Sequence, residues 1–140
     1  MHVFVYGSLM YLPVWQQVVQ GQYAQQPAMA HGFARYAVPG EQYPAMVVQA
    51  AGQVRGLVWL NVDHGDIQRL DAFEGEEYER RTIWVNMSGS DQSLQADTYI
   101  WLKPERLRGD EWDVKAFEQQ GLQQFLNKHV QQWTDTGRRQ

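Results

Sequence analysis

The stretch Val3-Phe4-Val5-Tyr6-Gly7-Ser8-Leu9 sets the terms on which the rest of the chain is read. Its β-branched and aromatic run has the character of a buried strand, and Gly7 ends it. A strand that stops on a glycine turn leaves backbone N–H groups unpaired, and such groups bind anions. Two readings stand side by side on these residues alone. One is a clamp for a carboxylate or phosphate, with the Ser8 hydroxyl as an added donor. The other is a strand-to-loop turn in which Ser8 satisfies local backbone groups. A nucleophilic Ser8 has no support, because no nucleophile-elbow pattern surrounds it.

Outward from this strand, Pro13 suits the first position of a short helix carrying Val14, Trp15, Val18 and Val19 as its apolar stripe, with Gly21 as its C-terminal cap. Three strands follow at residues 33–38, 45–49 and 54–62, punctuated by Gly40 and Gly52, which predicts antiparallel hairpins. Gly56 inside the third predicts a bulge or a close approach of another backbone. Asp63 is placed to cap a second helix bearing Ile67, Leu70 and Phe73, and Gly75 to end it. Residues 78–86 and 97–102 read as two more strands joined by a polar loop. From about Glu111, Trp112, Phe117, Leu122, Phe125, Leu126, Val130 and Trp133 fall largely on one face of a long final helix. The expected fold is α+β: a small, mixed, mainly antiparallel barrel with surrounding helices and a long C-terminal one.

At 140 residues with 44% hydrophobic content, the chain has the size and composition of one domain spanning 1–140, with a flexible polar tail at 134–140. The net charge of -4 and the scatter of the 12 Lys and Arg residues offer no basic face to a phosphate backbone, so nucleic acid is not an expected partner. Having no cysteine, the chain can form neither disulfides nor thiolate nucleophiles nor cysteine-bound metal centres. The four histidines, His2, His31, His64 and His129, show no ligand spacing, and no metal or cofactor is expected. No signal peptide or membrane-length apolar run is visible, which predicts a cytoplasmic protein without a membrane partner.

Glu74 is the residue with the most chemistry in prospect. At the end of a helix it faces unpaired carbonyls and the negative end of the dipole, and Asp71, Glu76, Glu77 and Glu79 crowd it with like charge. Each influence raises its proton affinity toward the range in which a carboxyl group shuttles protons near neutral pH. An ordinary acidic loop is the competing reading. Tyr43 and Tyr78 are candidates to line a pocket, with core packing as the alternative. Asp97, Asp110 and Asp113 read as turn or helix-start residues.

Taken together, Val3-Phe4-Val5-Tyr6-Gly7-Ser8-Leu9, Tyr43-Pro44-Ala45, Val54-Arg55-Gly56-Leu57-Val58, Leu70-Asp71-Ala72-Phe73-Glu74-Gly75, Tyr78-Glu79-Arg80-Arg81 and Ala96-Asp97-Thr98-Tyr99 resemble the γ-glutamylcyclotransferase-like superfamily. Trp112-Asp113 entering a long helix is similar to its branch of plant avirulence-induced-gene proteins and γ-glutamylamine cyclotransferases. The resemblance implies a barrel around a cavity, with Tyr6, Gly7, Ser8 and Leu9 holding a glutamyl group. It implies Glu74 as acid/base and Tyr78 as a residue orienting Glu74 or the substrate. The implied reaction converts a γ-glutamyl amine to 5-oxoproline and a free amine without cofactor, and the implied partner is that small molecule, with no obligate protein partner. Two other functions remain in view: a non-catalytic module of this fold binding γ-glutamyl compounds or 5-oxoproline, and an interaction domain using the Gln-rich surface at 119–132.

Overall fold

The computed structural model describes residues 1–130. Strand β1 (Val3–Val5) leads into a 3-10 turn (Ser8–Met10) and helix α1 (Leu12–Val18). Two long strands follow, β2 (Gln25–Ala37) and β3 (Pro44–Trp59), then helix α2 (His64–Glu74), then β4 (Tyr78–Met87) and β5 (Ser93–Trp101). The chain continues through a 3-10 turn (Pro104–Arg106) into a helical run in which α3 (Val114–Ala116) and α4 (Leu122–Phe125) alternate with π-helical turns (Phe117–Gly121 and Leu126–Val130).

The strands close a barrel in the order β1-β3-β2-β4-β5. All neighbours are antiparallel except β1 and β5, which run parallel and meet in register only at Val3 and Asp97. The mixed, mainly antiparallel α+β architecture expected from the sequence is therefore the one observed. Side chains alternate along β1, and both of its faces are covered. Phe4 and Tyr6 pack with Met46, Val58, Val85 and Ile100, whereas Val3 and Val5 pack with Trp59 of β3 and with Trp15, Ile67 and Leu70 from the helices. That double burial explains an uninterrupted apolar run where a one-sided strand would alternate. Trp15 of α1 stacks on Trp59 of β3 at 4.3 Å between ring centroids and 5° from parallel, fixing that helix on the barrel.

The expected strands at 45–49 and 54–62 are one continuous strand, which ends at Trp59, short of residues 60–62. The register passes from His31 opposite Gln53 to Phe33 opposite Val48, so residues 49–52 of β3 stand against the single Gly32, whose φ is +88°. Gly52 marks this bulge and not a hairpin turn, because a Cβ there would collide with the Phe33 carbonyl. β2 also begins earlier than expected, at Gln25. Gly56 fits the close-approach reading: a side chain there would meet the Val5 carbonyl and the Phe4 ring.

Helix α1 ends at Val18 with an extended Val19, and Gly21 is not its cap. The amides of Gln20 and Gly21 each donate to the Asp66 carboxylate at 2.9 Å, joined by Tyr23 Oη at 2.6 Å and Arg69 Nη1 at 2.9 Å. A carboxylate from α2 thus satisfies the amide donors of the loop that follows α1. α2 begins and ends as expected: Asp63 Oδ1 accepts from Asp66 N at 2.7 Å, and Gly75 takes φ +78°. Asp113 caps the final run by accepting from Ala116 N at 3.0 Å. Phe117 and Phe125 of the expected stripe are buried, with Leu122 and Leu126 packed beside them. The Val130 side chain, Trp133 and the tail at 134–140 lie outside the described residues.

Candidate active site

The end of β1 and the end of α2 converge on one pocket. It is lined by Tyr6, Gly7, Ser8, Leu9, Glu74 and Tyr78, together with Val5, Tyr43, Pro44 and Tyr99. All six residues singled out from the sequence as site candidates therefore stand around a single concavity. It opens to solvent and leaves about 30 Å³ for the centres of water-sized groups.

Gly7 has to be glycine for a steric reason. A Cβ at this position would lie 2.7 Å from Cγ and Cδ of Pro44 at the start of β3. The chain then enters the 3-10 turn, whose first bond runs from Met10 N to Gly7 O at 3.0 Å. The amides of Ser8 and Leu9 precede that bond, so they start the turn without a partner inside it. The turn is held from behind: Leu9 O accepts from Trp59 Nε1 at 3.2 Å, and Tyr6 O accepts from Arg35 Nη1 at 2.8 Å.

Two of the tyrosine hydroxyls are committed to backbone. Tyr6 Oη donates to Tyr99 O at 2.7 Å, across the junction of β1 and β5. Tyr78 Oη donates to Pro44 O at 2.8 Å, so in this structure it steadies the wall beside Gly7 and does not bond to Glu74. Tyr99 Oη donates to Asp71 Oδ1 at 2.8 Å.

Glu74 closes the last turn of α2. It is partly exposed as a residue, yet its carboxyl is surrounded by protein, and no side chain among the described residues donates to it. Burial, reinforced by the charge of Asp71 one helical turn earlier, pushes its pKa up to about 8. The like-charge crowd anticipated from the sequence reduces to Asp71. Glu77 is paired with Arg106 at 2.8 Å, and Glu79 with Arg81 at 2.6 Å. The pocket lining contains no cation to pull the Glu74 pKa back down. Burial, with Glu74 contributing, also holds the Tyr6, Tyr78 and Tyr99 hydroxyls well above the usual tyrosine range.

Asp71 anchors a network that sequence reasoning missed. Arg80 Nε bonds Asp71 Oδ1 at 2.9 Å, and Arg80 Nη1 bonds Asp97 Oδ2 at 2.6 Å. Thr82 Oγ1 donates to the other Asp97 oxygen at 2.8 Å. Asp97 is thus a buried strand residue and not the turn residue it was expected to be. The available signal was the alternation of Arg80 with Thr82 and of Asp97 with Tyr99, which puts each pair on one face of its strand. Among the described residues no group of three or more His, Asp or Glu side chains is arranged to hold a metal ion.

Comparison with known proteins agrees with this arrangement. The family model described as gamma-glutamyl cyclotransferase, AIG2-like, matches residues 3–115. Protein AIG2 C of Arabidopsis thaliana is 31% identical over 127 residues, covering 89% of this chain and 76% of the relative. AIG2-like protein D of the same plant is 35% identical over 127 residues, covering 89% and 83%. A solution structure of an Arabidopsis thaliana protein superposes with a TM-score of 0.72 at 29% identity, covering 90% of this chain and 77% of that one. A solved gamma-glutamyl cyclotransferase shares the fold, with a TM-score of 0.60 at 15% identity over 72% of this chain and 66% of that one. With a matching barrel, and a family model that spans both the residue 6–9 turn and Glu74, the chain belongs to the gamma-glutamyl cyclotransferase, AIG2-like family.

Proposed function

We propose that the protein is a cofactor-independent γ-glutamyl cyclotransferase that converts a γ-glutamyl amine to 5-oxoproline and the free amine, with Glu74 as its acid/base. The observation that carries this reading is a carboxyl group with a pKa near 8 sharing one pocket with the turn at residues 6–9. The substrate α-carboxylate sits on the amides of Gly7, Ser8 and Leu9, which folds the α-nitrogen toward the γ-carbonyl. Ring closure is then intramolecular, and positioning removes several kcal/mol, to order of magnitude, of the barrier. The α-nitrogen bonds to the γ-carbon and the bond from that carbon to the departing nitrogen breaks. Overall the α-ammonium loses two protons and the departing nitrogen gains two, with Glu74 relaying them. The substrate brings its own nucleophile, which suits a pocket without cysteine and with Ser8 as a donor only. Tyr78 and Tyr43 bound the side from which the amine leaves.

The test is incubation with a panel of γ-glutamyl amines, amino acids and peptides, with 5-oxoproline as the measured product. Glu74→Gln should abolish turnover, and full activity in that variant would overturn the mechanism.

One observation favours a second reading. Tyr6 Oη and Tyr78 Oη are both committed to backbone carbonyls and no side chain among the described residues donates to Glu74, as suits a pocket that holds a γ-glutamyl compound or 5-oxoproline without turning it over. Calorimetry with 5-oxoproline separates the two: binding without product formation across the panel supports the module.

A further inference from the structure

A second concavity, about 320 Å³ in volume, lies between β2, β3 and the segment that precedes α3, away from Glu74. Arg35 lines it. One corner of the guanidinium is pinned, since Nη1 donates to Tyr6 O at 2.8 Å and to Arg55 O at 3.2 Å, and the group lies over the Trp112 ring at 5.2 Å from its centroid. Nε and Nη2, the two nitrogens of the side-on edge, have no partner among the described residues. Neither is sealed away from water. An arginine fixed at one corner presents that edge at low entropic cost, and its spacing matches the two oxygens of a carboxylate.

Glu111 lines the same cavity from the opposite strand of a small bridge, its backbone paired with Tyr36. It is near enough for its charge to act on Arg35, yet the two do not form an ion pair. Opposite charges that line one cavity without pairing with each other are complementary to a zwitterion. The bulge at residues 49–52 supplies the space, with Gly52 adding no side chain and Gln49 held back by the Tyr36 hydroxyl. We propose that this cavity is a second ligand site, for a small free amino acid, whose carboxylate is received by the Nε and Nη2 edge of Arg35 and whose ammonium faces Glu111. The inference stands apart from the activity assigned to Glu74.

The experiment is an NMR titration of the ¹⁵N-labelled chain with L-serine, which has no γ-carbonyl and so cannot cyclise, up to about 10 mM. The Trp112 indole N–H and the Gln53 amide should shift. N-acetyl-L-serine, lacking the ammonium, and ethanolamine, lacking the carboxylate, should each bind about tenfold more weakly. Arg35→Lys, which keeps the charge and loses the fork, should weaken L-serine by a similar factor. Glu111→Gln should remove the discrimination against N-acetyl-L-serine. The proposal is overturned by shifts confined to residues 7–9 and Tyr99, by undiminished binding in Arg35→Lys, or by no shift at about 10 mM. Equal binding of N-acetyl-L-serine to the unaltered chain would also overturn it, making the cavity a plain anion site.

Discussion

Asp71 and Glu74 stand one turn apart on the same face of α2, and they are treated oppositely by their surroundings. Asp71 accepts hydrogen bonds from Tyr99 Oη and Arg80 Nε, whereas Glu74 accepts none among the described residues and is pushed toward its neutral form in part by the charge of Asp71. Burial and, behind it, the charge of the anchored carboxylate keep Glu74 protonated.

The pH profile should carry this relationship. Free Glu74 is largely neutral at pH 7 and ionises through about 8, so kcat/KM for 5-oxoproline release should rise with pH and level off above that value. The limb in kcat should lie lower, because a bound α-ammonium favours the carboxylate. Initial rates measured across the range check both, and a kcat/KM limb near the ordinary glutamate value would contradict the assignment.

Replacing the anchor should move the limb. Asp71→Asn removes the like charge, so the Glu74 pKa should fall. A ¹³C titration of the Glu74 carboxyl reads this directly, and an unmoved midpoint would show that burial alone sets it.

Stability should respond to Glu74 with a definite sign. Its folded pKa is raised, so between its unfolded value and about 8 the native state holds the proton more tightly, and stability falls as pH rises through that window. Glu74→Gln removes the buried charge, and should stabilise the fold by roughly 1–3 kcal/mol above that window and by little at acid pH. Thermal melts at both ends of the range measure the difference.

Asp66 should show the reverse dependence. It has no solvent contact but sits shallowly beneath the 20–23 loop. Burial raises its pKa, but the bonds from Tyr23, Gln20, Gly21 and Arg69 outweigh that and leave it below the usual carboxylate value. Its contribution is therefore present above the unfolded aspartate value and lost as pH falls through the folded one. Asp66→Asn, which must turn an N–H₂ toward existing donors, should cost about 3 kcal/mol near neutrality and flatten the acid limb of the melting curve.

Gly7→Ala drives a methyl group into the Pro44 ring. A loss of about 1–3 kcal/mol is expected, with Pro44→Ala in the same chain recovering part of it. Denaturant midpoints for the two single variants and the double variant give the coupling; strict additivity would mean that the ring is not what excludes the side chain.

The sequence made legible those features that depend on local chemistry. A run of β-branched residues ending in glycine, an aspartate three residues before the amide that donates to it, and a helix stopped by Gly75 are each decided within a few positions. Pairing is not local. Gly52 carries the same signal whether the chain reverses or bulges, and only the Phe33 carbonyl on the neighbouring strand decides between them. Asp97 and Asp66 were misjudged or passed over for the same reason: each is defined by partners far along the chain, Arg80 and Thr82 for one, Gln20 to Tyr23 for the other. At the site, Glu74 and the residue 6–9 turn were visible in the sequence, whereas the shielding that raises the Glu74 pKa arises only when β1, α2, β4 and β5 come together.

The junction of β1 with β5 is spanned by few peptide-to-peptide bonds. Across it run one ladder position, Val3 with Asp97, and two side-chain links, Thr98 Oγ1 to Phe4 O at 2.9 Å and Tyr6 Oη to Tyr99 O at 2.7 Å. A ladder made of backbone survives almost any substitution, because every residue but proline brings the same donor and acceptor. A seam sewn by hydroxyls does not, so the circumference of this barrel is itself open to mutation: loss of either hydroxyl oxygen unpicks a stitch, and the wall that gives way is the one carrying Tyr6 and Tyr99 into the pocket.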